Sequence, residues 1–343
     1  MDILFLLLPL ILAGGIFIKK KGLCTLYCSA ILFLSSAFFY SDTFFAVTTY
    51  NTDMSADSWM LSPAYVYASK LLMLIFGDYR IITVIWAFIA VSGLMLYIYK
   101  YCFYTASSAV AATLSGFWLM YFMDFTLFMG MVIAAFAFRY ASEKRLIRFL
   151  SVILLASCFD LRLLILIPVY FIFFAEPTVY YIPAVLVLGA ILLFVDISPV
   201  FGILLGFSPE REGAELFLPV KIIALFVITM LLMKILVRRG DYNKATITLS
   251  GVSAVFALGA ISDSRLLIPA TACFYPAIIT LGPEIVAALK SIISLTFREN
   301  KKKALIIFGS VFVISLGIFW CLLFKNSGLS LSLWLSEKAV NVI

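Results

Sequence analysis

Apolar residues run along this chain in long blocks separated by short polar punctuation. Residues 3–18 are apolar and stop at Lys19-Lys20-Lys21; further blocks cover 23–40, 79–99, 104–122, 125–141, 178–195, 218–237, 245–262, 266–286 and 304–324. A helix needs about 20 such residues to cross a hydrocarbon core of about 30 Å, so each block predicts a membrane-crossing helix. In the first block the charges follow the apolar run, whereas a cleaved signal peptide places them before it. Residues 3–18 are therefore expected to remain as the first helix. Prolines 168, 183, 269, 276 and 283 fall in or near these blocks, where they kink helices around a cavity.

The stretch 147–174 is too long for an ordinary span and too short for two full ones. It reads as one long helix or as two short ones meeting near Phe159-Asp160-Leu161-Arg162. The distribution of basic residues separates these readings, because cytoplasmic loops carry the excess of Lys and Arg. One crossing would put Arg238, Arg239 and Lys244 outside, and Glu210, Glu212 and Glu215 inside. Two crossings gather Lys19–21, Lys100, Arg139, Lys144, Arg145, Arg148, Lys234, Arg238, Arg239, Lys244, Lys290, Arg298 and Lys301–303 on the inner side. Those are 17 of the 25 basic residues, which leaves 8 outside. The broken pair is therefore preferred. The expected fold is an all-α, polytopic integral membrane protein of about twelve segments, with a broken helix near 159–162 and both termini outside. Non-helical backbone at that depth survives only where protein buries it or where it lines a wet cavity.

This topology leaves the inner loops as short basic anchors and places the longer loops outside. Residues 41–78 form the longest, with Asp42, Asp53, Asp57, Trp59 and Asp78, and within it 61–76 predicts an interfacial helix opened by Ser62-Pro63. Residues 196–217 form a second outer loop containing Glu210, Arg211, Glu212 and Glu215. The tight turn Ser262-Asp263-Ser264-Arg265 is the third. The chain reads as a single integral membrane domain over 1–343, without an internal repeat or soluble module.

Composition agrees and narrows the chemistry. Hydrophobic residues make up 64% of the chain and charged ones 13%, whereas soluble domains carry about 25% charged residues. Too few polar side chains remain to cover a water-facing surface, which excludes a cytosolic enzyme, a secreted disulfide scaffold and a nucleic-acid binder. The net charge of +7 reflects loop anchoring. There is no histidine, so the usual zinc ligand and the commonest general base are missing. The six cysteines form no CxxC pair; Cys24 and Cys28 share a helix face and read as small packing residues. No metal or cofactor is implied.

Ionisable groups at membrane depth are costly, about 2.5–3.5 kcal/mol each, and each is a functional candidate. Arg80 follows Asp78 at the outer mouth of a span, Arg162 sits two residues from Asp160 in the break, and Arg265 lies beside Asp263 in the outer turn. Each has a plainer reading as well. Asp78 could neutralise Arg80, Asp160 and Arg162 could form a structural ion pair, and Arg265 could be a solvated turn residue. Three arginines facing one outer cavity suit a diphosphate, because the planar guanidinium pairs bidentately with phosphate oxygens. Among carboxylates, Asp57 and Asp160 are candidates to deprotonate or orient an acceptor hydroxyl, and Asp160 alternatively holds Arg162 in place. Trp59, Tyr65 and Tyr67 could stack on a sugar, and Arg211 and Lys221 could touch an anionic one.

The order of these features resembles that of EpsG-like polysaccharide polymerases. The resemblance is carried by YNTDMSADSW (50–59), SPAYVYASKLLMLIFGDYRIITVIWAFIAV (62–91), FMDFTLFMGMVIAAFAFRYASEKR (122–145), FLSVILLASCFDLRLLILIPVYF (149–171) and ISDSRLLIPATACFYP (261–276). The chain departs from the family at two points. It has Met129-Gly130 where the family commonly carries an Arg, and Phe159-Asp160 where the family has a Phe-His pair. The resemblance implies a Wzy-type polymerase of O-antigen or capsule repeat units with a GT-C-like helical architecture. It would act on oligosaccharides carried by undecaprenyl diphosphate, at the outer face of a bacterial inner membrane, without a metal and with a possible chain-length regulator as partner. Arg80, Arg162 and Arg265 would bind the donor diphosphate. The competing readings are a polyprenyl-phosphate-dependent single-sugar transferase and a transporter or flippase of lipid-linked sugars.

Overall fold

A computed structural model of the chain describes residues 7–40, 62–77, 79–173, 181–194, 217–237, 241–296 and 330–331. These residues are almost wholly helical. Three helical stretches, Ile81–Tyr101, Phe125–Ser142 and Leu267–Ala288, are long and apolar enough to cross a membrane, and shorter apolar helices accompany them. Backbone polar groups in an apolar medium must be satisfied within the segment, which is why such sequences fold as helices. Large side chains face outward without cover, among them Phe17, Leu74, Phe103, Ile147 and Leu231. Buried serines and threonines turn inward and donate to carbonyls three or four residues back. Ser35 bonds Leu32, Thr113 bonds Val110, Ser253 bonds Ser250 and Thr280 bonds Pro276.

The chain divides into two compact units. The first comprises Met1–Trp59, Pro63–Met129 and Ile292–Ile343. Its helices are α1 (Leu8–Ala13), α2 (Lys21–Phe38), α3 (Pro63–Phe76), α4 (Tyr79–Tyr101), α5 (Thr105–Leu114) and α6 (Phe117–Met123). Helix α2 packs on α4 and α5, and α3 packs on α4. Helix α3 occupies the place expected for the interfacial helix; it buries Tyr65, Val66 and Ser69 and exposes Tyr67, Leu71, Leu74 and Ile75. The core is aromatic. Trp86 donates to Ser69 at 3.0 Å and Trp118 to Ser35 at 3.0 Å, while Tyr65, Trp86, Tyr121 and Phe125 pack ring to ring.

The span expected over 104–122 is not one helix. It breaks at Ser115-Gly116, where Gly116 takes a left-handed φ of 89° and the amide of Phe117 bonds the Ser115 hydroxyl. Only glycine adopts that backbone without cost, which is why the break falls there.

The second unit comprises Met60–Ser62 and Gly130–Ser291. It takes most of α7 (Phe125–Ser142), followed by α8 (Leu146–Ser157), α9 (Val169–Ile172), α10 (Tyr181–Phe194), α11 (Phe217–Leu231), α12 (Met233–Val237), α13 (Asp241–Ala260) and most of α14 (Leu267–Thr296). Helix α13 is rich in Ala, Gly, Ser and Thr, and it packs against α10, α11 and α12. Small residues let helix backbones approach closely where apolar side chains gain nothing by leaving lipid. A Cβ added to Gly189 would strike Leu258, and one added to Gly259 would come within 2.8 Å of the Leu192 Cβ. Thr229 and Ser250 share a hydrogen bond of 3.0 Å between α11 and α13.

The break expected within 147–174 is present. Helix α8 ends at Ser157, and a 3-10 helix over Leu161–Leu166 follows, then the single turn of α9 after Pro168. The second half is itself interrupted, a 3-10 helix followed by one helical turn. Among the described residues the last helix is longer than the expected block 266–286, because α14 runs through Pro276 and Pro283 to Thr296, and the block 304–324 lies outside them.

Candidate functional site

At the end of α8 the chain turns tightly. The amides of Phe159 and Asp160 both bond the Ala156 carbonyl, at 3.0 and 3.1 Å, and the amide of Leu163 bonds the Asp160 carbonyl. Asp160 is extended and caps the 3-10 helix that follows. Its Oδ1 accepts from the Arg162 amide at 3.0 Å and from Arg162 Nε at 2.9 Å, and its Oδ2 accepts from Arg162 Nη2 at 2.5 Å. One carboxylate therefore closes the turn and holds the guanidinium at the same time. Asp160 is only 2% exposed, whereas the Arg162 side chain is 28% exposed.

The same construction follows α13. The amides of Ser262 and Asp263 bond the Gly259 carbonyl at 3.0 and 3.1 Å, and the Leu266 amide bonds the Asp263 carbonyl at 3.0 Å. Asp263 Oδ1 accepts from the Arg265 amide at 3.2 Å and from Nε at 2.7 Å, and Oδ2 accepts from Nη2 at 2.5 Å. Here both partners are buried, Arg265 being 8% exposed. In each turn the leucine after the arginine is seated on a glycine. Leu163 lies against Gly130 of α7 and Leu266 against Gly259 of α13. Both turns belong to the second unit.

Two copies of one sequence underlie this, Asp160-Leu161-Arg162-Leu163-Leu164-Ile165 and Asp263-Ser264-Arg265-Leu266-Leu267-Ile268. The sequence reading, which found no repeat, overlooked this short one, and it passed over Asp263 as the holder of Arg265. The signal was available as the pattern D-x-R-L-L-I. It is too short to stand out against a background of leucine and isoleucine.

Chemically, each turn presents a guanidinium whose charge is balanced and whose orientation is fixed. A guanidinium pairs with carboxylates and phosphates through such a fork, and in each turn its Nε–Nη2 edge is taken by the aspartate. Both Asp160 oxygens are engaged by Arg162, which favours the positioning role over that of a base. Lys221, near the start of α11, lies with Nζ 5.5 Å from the Phe274 ring of α14 and adds an amine to the same unit. Glu284, buried within α14, is a further ionisable group that the sequence reading did not single out.

The remaining candidates separate from these. Arg80 stands in the first turn of α4, in the first unit, while Arg162 and Arg265 belong to the second. Tyr65 is 1% exposed and packed against Trp86 and Phe125, so the expected sugar platform is a core residue in this structure. The aromatic neighbours supplied by α4 and α7 bury it. Tyr67, two residues on, is exposed. Asp57, Trp59, Asp78 and Arg211 lie outside the described residues. Arg139, Glu143 and Arg145 form a partly exposed cluster around the short loop between α7 and α8, with Arg139 Nε 2.6 Å from Glu143.

Comparison of the chain with protein-family models, with curated proteins and with solved structures finds no match.

Proposed function

We propose that this chain is a polytopic membrane glycosyltransferase of about twelve segments that polymerises undecaprenyl-diphosphate-linked oligosaccharide units at the outer face of a bacterial inner membrane. The observation that carries this reading is the pair of Asp-held arginines, Arg162 and Arg265, each fixed in a turn that positive-inside counting assigns to the outer side. The donor diphosphate is the leaving group. The acceptor hydroxyl oxygen bonds the donor's anomeric carbon with inversion, and the bond from that carbon to the diphosphate oxygen breaks. Undecaprenyl diphosphate departs with the electron pair. Arginine donors aimed at the departing phosphate oxygens stabilise the charge as it develops. Asp57 takes the hydroxyl proton, since Asp160 is committed to Arg162. Trp59 and Arg211 contact the sugar chain.

The two departures from the EpsG-like pattern lie side by side. A Cβ on Gly130 would stand 3.6 Å from the Asp160 Cβ, so the position beside the family's arginine faces that of the family's histidine.

The test is complementation of a host lacking this chain, read as a polysaccharide ladder on a gel. Arg162→Lys and Arg265→Lys keep the charge and remove the fork. At wild-type protein levels each is expected to shorten or abolish the ladder. Full-length ladders from both would refute the site.

A further inference from the structure

Asp263 carries no role in the reaction just described, and Asp160 enters it only through Arg162. Their shared geometry asks what an aspartate is for in a turn of this kind. Capping alone does not require it, because asparagine or serine caps as well. Stability alone does not require the ion pair, since a buried pair rarely outperforms apolar packing of the same volume. The turn also closes without help from the guanidinium, through the amide bonds to Ala156 and Asp160 in one case and to Gly259 and Asp263 in the other. What the aspartate adds is a fixed orientation. It takes Nε and Nη2, one whole edge of the guanidinium, in both copies. That turns a flexible side chain into a rigid donor and keeps it neutralised when no anion is present.

We propose that the turns at Asp160–Leu163 and Asp263–Leu266 are two copies of one arginine-aiming device for a lipid-linked diphosphate, with Asp160 and Asp263 as its positioning residues. Three observations carry this: the repeated D-x-R-L-L-I sequence, the matching hydrogen bonds, and the packing of Leu163 and Leu266 against glycines. A leucine locked in this way fixes the backbone next to the arginine, so turn and side chain are aimed together. The proposal rests on the reading of Arg162 and Arg265 as diphosphate ligands and adds how they are held.

The experiment measures binding of geranylgeranyl diphosphate to the purified full chain in detergent. Both Asp160→Asn and Asp263→Asn retain the cap acceptor; Asp160→Asn, whose arginine is partly exposed, is expected to melt nearer wild type, whereas Asp263→Asn leaves Arg265 buried without its counter-charge and is expected to melt lower. Each is expected to weaken binding about tenfold, as a misaligned charge-assisted contact does. The decisive readout is the double variant: Asp263→Asn should add nothing once Arg265 is lysine, and likewise for Asp160 and Arg162. Asparagine variants that bind like wild type while the lysine variants bind weakly would overturn the positioning role and leave the proposed function standing. Independent, additive effects in the double variants would also overturn it. Wild-type binding in all four single variants, or no binding by the wild-type chain, would remove both proposals. If one asparagine variant does not fold, the other turn carries the same test. Competition by inorganic pyrophosphate shows whether the phosphates alone are gripped or the lipid-linked form is required.

Discussion

Arg265 and Asp263 illustrate how much a single buried contact decides. Removing Arg265 leaves a carboxylate in an apolar bundle with its fork partner gone, and such losses cost about 3–5 kcal/mol. Arg265→Ala is therefore expected to lower the unfolding midpoint in detergent clearly. Arg162→Ala, whose side chain is already partly exposed, is expected to lower it less. Equal losses would contradict the difference in burial. These arginines were legible in the sequence, because charge within long apolar blocks is conspicuous. Their exact holders were less so: Asp160 stood out beside the break, whereas Asp263 read as an ordinary turn residue. Tyr65 was misjudged for another reason. Its burial depends on Trp86 and Phe125, which meet it only in the folded chain.

Between helices, glycine positions set how closely the elements approach. A Cβ at Gly130 would meet Leu163 and crowd the Ala156 carbonyl at 3.2 Å, so it presses directly on the first arginine turn. Gly130→Ala is expected to cost about 1–3 kcal/mol in stability and to reduce polymer output, read by thermal unfolding and by the ladder. Gly259→Ala should act alike on the second turn, because Leu266 and Leu192 both occupy its space. A neutral result at both positions would show that the leucine seats do not tension the turns. Gly116→Ala tests the break between α5 and α6, where the left-handed backbone costs a side-chain residue about 1–2 kcal/mol. Apolar blocks predicted that helices exist, and the charged break at 159–162 predicted an interruption. They did not predict the break at Gly116 or the 3-10 geometry after Asp160. Those follow from local hydrogen bonds to Ser115 and Asp160, which periodicity does not register.

At the scale of the whole molecule, an outward site requires both arginine turns to face the outer side of the membrane. Membrane-impermeant thiol labelling in a cysteine-free background should modify Ser264→Cys from outside and spare Ser142→Cys beside the basic anchor. The opposite pattern would invert the topology and remove the outward site. The central claim is that the chain joins lipid-linked sugar units, and it is tested most directly by reconstitution. The purified chain in nanodiscs is supplied with the lipid-linked repeat unit extracted from a host lacking it. The account predicts a ladder of products, with one undecaprenyl diphosphate released for every new glycosidic bond. Substrate that stays monomeric, or that crosses the bilayer with no bond formed, would contradict it.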